Sequence, residues 1–555
     1  FHVSFSFMPS FITSLALASL ALTCLGARRN LDLKKLAEDY KDEDDDAAWA
    51  TLGAKKKNPK KKYVVGGSVQ DELTAWGEAR GANLSNVVIG NFGARGRGLG
   101  ARDPARYSGQ RIGDDLLFSI PGDLVWTSRA AAESTALRAT LRTEELRHDG
   151  FTLPGGIAFG SSVDSLAVHV AFERMRGNAS GWAPYLNILP VPASPSYALA
   201  AAAIGGGLDQ RSFGGEDRPA SGGEGVVGAI LAAKAVRSAF APSRFASGAI
   251  EALAQERVDI TNAVAHAFTS KRRLKVEGQP THYDVLSVRR AVLWAWFTVV
   301  ARSIDTTLVN QEGHSALFPF WDLVNHGPPR SGPGTCALCF FKEVKDEGRQ
   351  AGGAVRLEYR LSGRPLHAGG EVLHDYGFRG GLCPLEWLLN FGFVDQDLTR
   401  AALDPALDSE DTGAARCAGS GGGGTPGECA GRSLPPREPE PFAGCAEVAF
   451  EGRRWRLPED KAELLASVSV PRTSAADEAP GTSRATSRAA SRAARLARGL
   501  LARADELPEN SHLRSQALEA AKAGDSLAHD AAVLMLLERK ALLGTARELS
   551  SLPPT

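Results

Sequence analysis

Apolar positions change their spacing several times along this 555-residue chain, and each change predicts a different kind of element. DELTAWGEARGA, from Asp71 to Ala82, spaces Leu73 and Trp76 as one face of a short helix, which Gly81 closes. VVIGNFGARGRGLGARDPARYSGQRIGDDLLFSIPGDLVWT then reads as strands punctuated by glycine turns, with Ile120 and Pro121 ending one of them. Residues 130–310 are Ala-rich and keep helical spacing, as in VRRAVLWAWFTVVARSI, with Gly205 to Gly225 as a loop inside the block. β material resumes with LFPFWDLVNH at Leu317 and continues through GGEVLHDYGF, Gly369 to Phe378.

Asp404 to Pro441 turns to Gly, Ser, Pro and Glu, including SGGGG from Ser420, which predicts a flexible linker. Beyond it Ala462–Val468 and Ala494–Ala504 have helical spacing, and Ser511 to Ser551 predicts two amphipathic helices. TSAADEAPGTSRATSRAASRA, before Ala494, is compositionally biased and reads as a mobile stretch. No fixed-period repeat runs through the chain. The organisation expected is therefore a targeting or disordered segment over 1–66, a folded domain over 67–400 with a helical insert at about 130–310, a linker over 401–441 and a helical domain over 442–555.

Composition narrows the class. With 43% apolar residues a sizeable core is available, and 64 Lys plus Arg against 64 Asp plus Glu leaves no global field toward nucleic acid or membrane. Seven cysteines are sparse and odd in number, which speaks against a disulfide framework and for a reducing compartment. Met8 to Ala27, MPSFITSLALASLALTCLGA, has the apolar run and small residues of a targeting segment, with Met8 its expected start. That run falls short of the ~20 apolar residues of a spanning helix, so no stable membrane association is expected after processing. The acidic run Asp42–Asp46 and the lysines at 55–57 and 60–62 read as solvated linker charge, in preference to a nuclear address.

Individual motifs are weak taken singly. Glycines at 96, 98 and 100 break the G-x-G-x-x-G spacing of a dinucleotide loop and by themselves mark a turn. Asp322 and His326 lack the further ligands of a metal set, and Cys336 with Cys339 has no second CxxC, so no metal is expected. Asn325 and His326 follow a Pro-containing apolar strand and can anchor a polar ligand. Tyr376 follows another apolar strand, and Gly377 turns the chain so that its phenol stands at the strand's end.

Their order is more specific. RGRGLGA, Trp182-Ala-Pro-Tyr185-Leu-x-x-Leu189-Pro190, Pro319-Phe-Trp-Asp322-Leu-Val-Asn325-His326, Glu371-Val-x-x-x-Tyr376-Gly377 and Asn390-Phe391-Gly392-Phe393 succeed one another. This succession resembles the SET-domain protein methyltransferases, in the branch of the Rubisco large-subunit lysine methyltransferase and the actin-histidine methyltransferase. The resemblance covers about Trp76 to Asp397 and, more weakly, Phe442 to Leu552. It implies an α+β fold: a SET-domain β fold with a pseudoknot, a large helical insertion and an α-helical C-terminal substrate-binding domain. It also implies S-adenosylmethionine as cofactor.

Carried over residue by residue, Arg95, Gly96 and Arg97 would line the cofactor pocket, and Arg302 would reach the cofactor's carboxylate. Asp322, Leu323, Val324, Asn325 and His326 would bind the remainder, and Phe391, Gly392 and Phe393 would cover the adenosine or the transfer channel. Tyr376 is the expected catalytic residue, with Trp321, Tyr376 and Phe391 as channel walls. The chain departs from its relatives at Arg95, often acidic there, at Ile304, where the histidine enzyme has asparagine, and at Phe391, often tyrosine. Arg379-Gly380-Gly381 replaces an Arg-Ser-Asn run.

These residue types suit methyl transfer. A sulfonium methyl is already electrophilic, so the protein mainly aligns donor and acceptor, an effect that can reach ~7–11 kcal/mol. A lysine acceptor has a reference pKa of ~10.4 and attacks only when neutral, which an apolar aromatic channel favours. The expected activity is protein-lysine methylation by a monomer. The alternatives are protein-histidine methylation and a catalytically silent protein-binding module. The expected location is the plastid if the N-terminal segment is used, and cytoplasm or nucleus otherwise.

Overall fold

The computed structural model describes residues 68–92, 96–102, 115–141, 143, 146–153, 157–205, 222–269, 284–305, 314–327, 335–336, 340–345, 355–361, 370–374, 376, 383–403, 446–450, 453–457, 460–469 and 482–552. The fold is α+β, as the changing periods predict. In chain order α1 (Ser68–Ala79), β1 (Val87–Asn91), β2 (Arg97–Ala101), β3 (Asp115–Pro121) and β4 (Trp126–Thr127) lead into α2 (Ser128–Glu133) and α3 (Thr135–Leu141). Next come β5 (Leu146–Arg147), β6 (Gly150–Leu153), β7 (Ile157–Phe159), α4 (Ser162–Met175), α5 (Ala183–Ile188) and α6 (Pro195–Ala203). The long helices α7 (Gly222–Phe240), α8 (Arg244–Thr269) and α9 (Val285–Arg302) follow. Strands β8 (Ile304–Asp305), β9 (Ser315–Leu317), β10 (Asn325–His326), β11 (Thr335–Cys336), β12 (Phe340–Lys345), β13 (Val355–Leu361) and β14 (Leu373–His374) come next. The chain continues with α10 (Pro384–Phe391), α11 (Gln396–Leu403), β15 (Ala446–Phe450), β16 (Arg453–Leu457), α12 (Lys461–Ser469), α13 (Thr482–Asp505), α14 (Asn510–Ala523) and α15 (Ser526–Ser551).

These elements fall into two compact units. The first takes the described residues up to Val236, with Ile250–Gly381 and Asn390–Gly392; the second takes Arg237–Ala249, Leu382–Leu389 and the described residues from Phe393 onward.

In the first unit the core lies where α9 packs on α4. Val288 and the run Ala291–Val299 are buried in α9, as are Ser165–Glu173 in α4, the pattern of helices enclosed on most sides. Side-chain caps start both: Asp284 accepts from the Ser287 N–H at 2.7 Å, and Ser161 accepts from the Asp164 N–H at 3.1 Å. β1 and β2 form an antiparallel hairpin, and β3 pairs with β13, which pairs with β12. The pairing that matters most for the site is parallel: β14 lies between β10 and β11, with Asn325 opposite Leu373 and His326 opposite His374.

In the second unit α15 packs against both α13 and α14. Glu538, buried on α15, accepts from the Ser243 hydroxyl at 2.8 Å and from Arg503 at 3.1 Å. Gly524 ends α14 in the left-handed region, φ +73°, the geometry of a glycine cap.

Four expectations are corrected. The stretch read as a helical insert also holds the β5–β6–β7 sheet, whose strands are too short to show alternation. Gly150 lets those strands close, since a Cβ there would lie 2.1 Å from the Phe159 carbonyl oxygen. The C-terminal region read as all-helical contains the β15–β16 hairpin. The stretch read as mobile is helical from Thr482, because α13 buries alanines, Ala489, Ala493 and Ala497, on the face where a leucine period would be sought. Cys383 is disulfide-bonded, against the expectation of a reducing compartment without a disulfide framework. The targeting segment, the linker over 404–441 and Cys339 lie outside the described residues. Among the described residues no helix is long and apolar enough to cross a membrane.

Candidate active site

Three sequence motifs meet in the first unit because β2, β10 and the segment leading into β14 are knitted together. Gly96, φ +73°, turns the β1–β2 hairpin, where the Phe92 N–H donates to the Gly96 carbonyl at 2.7 Å. β2 then bonds to the chain before β14: Val372 N–H donates to the Leu99 carbonyl at 2.8 Å, and Ala101 N–H to that of Gly370 at 2.7 Å. Parallel pairing of β14 with β10 brings in the third motif.

Asn325 is the junction. Its amide donates to the Glu371 carboxylate at 2.8 Å and to the Arg97 carbonyl at 3.2 Å, tying together residues up to 228 positions apart. Glycine at position 98 makes room for the junction, since a Cβ there would lie 2.6 Å from that Asn325 amide nitrogen and force the side chain to shift. Leu323 and Val324 are buried, so their approach to any ligand is through backbone.

A charged cluster adjoins the junction. Arg302, at the end of α9, donates to the Asp322 carbonyl, and its guanidinium is 4.0 Å from the Asp322 carboxylate. Asp322 is buried and accepts from the Tyr185 hydroxyl at 2.7 Å, while its other oxygen, Oδ1, has no partner among the described residues. Burial pushes the Asp322 carboxyl up to about 6, against the pull of Arg302 and Tyr185. Arg97 donates to the Ile188 carbonyl, and its pKa is lowered by burial and then by repulsion from Arg302. Arg97 thus stands close enough to Arg302 to be repelled by it, and it is Arg302 that lies against the Asp322 carboxylate, so the two cations together leave the cluster suited to a further anion.

Aromatic side chains line the neighbouring space. Tyr376 donates its hydroxyl proton to the Val324 carbonyl at 2.5 Å, and its backbone N–H reaches His326 Nδ1 at 3.3 Å. Its ring centroid lies 5.0 Å from Phe391, 5.3 Å from His326 and 6.3 Å from His374. Trp321 packs edge-on to His374 at 5.3 Å and hydrogen-bonds Tyr359, whose hydroxyl is 3.5 Å from His374 Nδ1. Burial, and then the neighbouring His326, lower His374 to about 4, so its ring is neutral at pH 7. The Tyr359 phenol is raised by burial and stays protonated.

At the start of this wall Phe320 adopts φ +73° and ψ −46°, a conformation costing about 1–3 kcal/mol for a residue with a side chain. It is fully buried, with its ring on Gly77, where a Cβ would lie 2.3 Å away. Strain of this kind at the entrance to the one-turn helix Trp321–Leu323 fixes where Trp321 and Asp322 point.

Of the residues expected from sequence, Gly96, Arg97, Arg302, Trp321, Asp322, Leu323, Val324, Asn325, His326, Tyr376, Phe391 and Gly392 belong to the first unit. Gly392, φ +79°, passes close to Ala193, whose Cβ would lie 2.5 Å from an added methyl. Phe393 belongs to the second unit, where it packs on Trp387 at 5.6 Å. Arg95, Gly377 and Arg379-Gly380-Gly381 lie outside the described residues. Sequence reasoning gave no site role to Tyr185, Glu371, Tyr359 or His374. Tyr185 and Glu371 stood inside matched motifs and could have been found there, whereas His374 and Tyr359 carried no signal. Among the described residues no three His, Cys, Asp or Glu side chains gather to hold a metal.

No protein-family model matches the chain. No curated protein matches it either. Similar solved structures include the SET domain of LSMT bound to lysine and AdoHcy, with TM-score 0.44 and 14% identity over 87% of this chain and 90% of that one. Rubisco LSMT bound to AdoMet has TM-score 0.43 and 15% identity over 87% and 92% of the two chains. Rubisco LSMT bound to sinefungin and monomethyllysine has TM-score 0.42 and 15% identity over the same shares.

Proposed function

We propose that the chain is an S-adenosylmethionine-dependent protein methyltransferase of the SET class, acting on lysine. The carrying observation is the Asn325 junction: one amide joins the glycine strand to Glu371, beside a doubly cationic cluster and a tyrosine whose hydroxyl proton is already committed. The donor set fits the cofactor. Arg302 and Arg97, close enough to repel one another, suit its amino-acid carboxylate, and the backbone of Gly96–Arg97 with Asn325 and His326 suits its polar remainder.

Bound, this cofactor supplies a methyl group that is already electrophilic. The chain's own residues then position and exclude water. Because Tyr376 gives its proton to Val324, its oxygen faces a ligand only as an acceptor. Such an acceptor orients an amine N–H and favours a carbon–hydrogen dipole carrying partial positive charge. Trp321, Phe391 and the neutral His374 add no cation to the wall, so a lysine amine enters an apolar space that favours its uncharged, nucleophilic form. The methylated cation that leaves is stabilised by the same aromatic faces.

Incubating the chain with methyl-labelled S-adenosylmethionine and a cell lysate, then mapping the labelled residue by mass spectrometry, tests the reading. Label on a protein lysine, lost in Tyr376→Phe, is the expected result. Label on histidine would overturn the lysine assignment. Absence of cofactor affinity by calorimetry would overturn the enzyme and leave a protein-binding module.

A further inference from the structure

Behind the charged cluster stands an aromatic column, buried at Trp126 and Tyr185 and half-buried at Trp76 and Trp182, that ends on a single hydroxyl. Tyr185, fully buried on α5, lies nearly parallel to Trp76 at 6.5 Å and edge-on to Trp182 at 6.3 Å. Trp182 stacks on Trp126 at 4.4 Å, and the Trp126 indole donates to His169 Nδ1 at 3.1 Å. The column leaves the Tyr185 ring little freedom, which holds its hydroxyl in the 2.7 Å bond to Asp322 Oδ2.

We propose that Tyr185 is a positioning residue of the cofactor pocket, occupying Asp322 so that the Arg302 guanidinium stays free to hold the ligand's carboxylate. The inference rests on the reading of this site as an S-adenosylmethionine pocket and adds a residue to it. Its logic is competition. Asp322 Oδ1 is already without a partner among the described residues, and Arg302 lies 4.0 Å from Oδ2, held instead to the Asp322 carbonyl. Removing the Tyr185 hydroxyl leaves both buried carboxylate oxygens unsatisfied, and their nearest remedy is a two-pronged pairing with Arg302. That pairing would draw the guanidinium away from the ligand.

Two nucleosides separate this role from a structural one. S-adenosylhomocysteine carries the amino-acid carboxylate, whereas 5′-methylthioadenosine lacks it. By calorimetry Tyr185→Phe should bind the first about tenfold more weakly and the second within about twofold of the unaltered chain, since one charge-assisted bond is at stake. Asp322→Asn removes the competing charge, so the double variant Tyr185→Phe/Asp322→Asn should recover most of the loss. Asp322→Asn alone should bind the carboxylate-bearing ligand at least as well as the unaltered chain, a check that survives if Tyr185→Phe fails to fold. Equal weakening of both nucleosides, or no change in either, overturns the positioning role while leaving the cofactor assignment in place. An unaltered chain that binds neither nucleoside overturns the functional reading itself, and the role of Tyr185 with it.

Discussion

At the scale of single residues the site is governed by where protons already sit. The Tyr376 hydroxyl is spent on the Val324 carbonyl, so Phe at this position deletes an acceptor and also releases that carbonyl. Cofactor affinity should change by less than about twofold, because the ring and the Asn325 junction remain. Turnover should fall about a hundredfold, the size expected when reacting groups lose about 1 Å of alignment. Single-turnover kinetics beside calorimetry would check both halves, and equal losses in affinity and rate would refute the assignment. Phe391 offers the converse experiment. With its ring 5.0 Å from Tyr376, Phe391→Tyr adds a hydroxyl to the channel wall and should lower the number of methyl groups per lysine, read by mass spectrometry of the product.

At the scale of elements, close approach decides what each glycine is for. Gly98 sits where β2 meets Asn325, and a methyl there would be 2.6 Å from the amide nitrogen and 3.2 Å from Glu371 Oε1. Gly98→Ala should therefore loosen the junction, weakening cofactor binding about tenfold, the size of one charge-assisted bond. Gly499, exposed on α13 with nothing within 4 Å of its would-be Cβ, should behave oppositely. Gly499→Ala should stabilise the helix by about 1 kcal/mol, seen as a higher denaturation midpoint without change in binding. The same contrast explains what could be read from sequence. α9 was legible because its apolar run, Ala291 to Val299 with Thr298 its one polar residue, is too long for an ordinary strand. The first half of α13 was not, since Ala occupies its buried positions, and β5, β8, β10, β11 and β14 are two residues long, below any alternation signal. Asn325, His326 and Tyr376 were legible as motifs. The partners that give them their roles, Glu371 to Asn325, Val324 to Tyr376 and Tyr185 to Asp322, are separated by 46, 52 and 137 positions, and only pairing in the fold brings them together.

At the scale of the whole molecule, buried ionisable groups make stability a function of pH, and in the first unit they pull in opposite directions. His169 is lowered by burial to about 3, and His374 to about 4, from an ordinary 6.5. Both stay neutral in the folded state while the unfolded chain takes up protons below 6.5, so the stability they contribute is present above that pH and lost as it falls. By pH 5 each has cost about 2 kcal/mol. Asp322 has the opposite sign: its folded value, about 6, lies above the ordinary 3.8, so its burial is most unfavourable when ionised and is relieved as pH drops below 6. That returns about 1.4 kcal/mol by pH 5, one decade below its folded value. Glu256, raised mainly by burial, acts in the same sense as Asp322. The histidines prevail, so the first unit should be less stable at pH 5 than at pH 7 by a few kcal/mol, measured by hydrogen exchange of amides in α4 and α9. His169→Gln keeps an acceptor for the Trp126 indole and removes the titrating ring, so it should flatten about half of the histidine loss. Asp322→Asn deletes the opposing group and should steepen the fall. Parallel pH profiles for the unaltered chain and both variants would show that these buried groups do not set the acid limit of the fold.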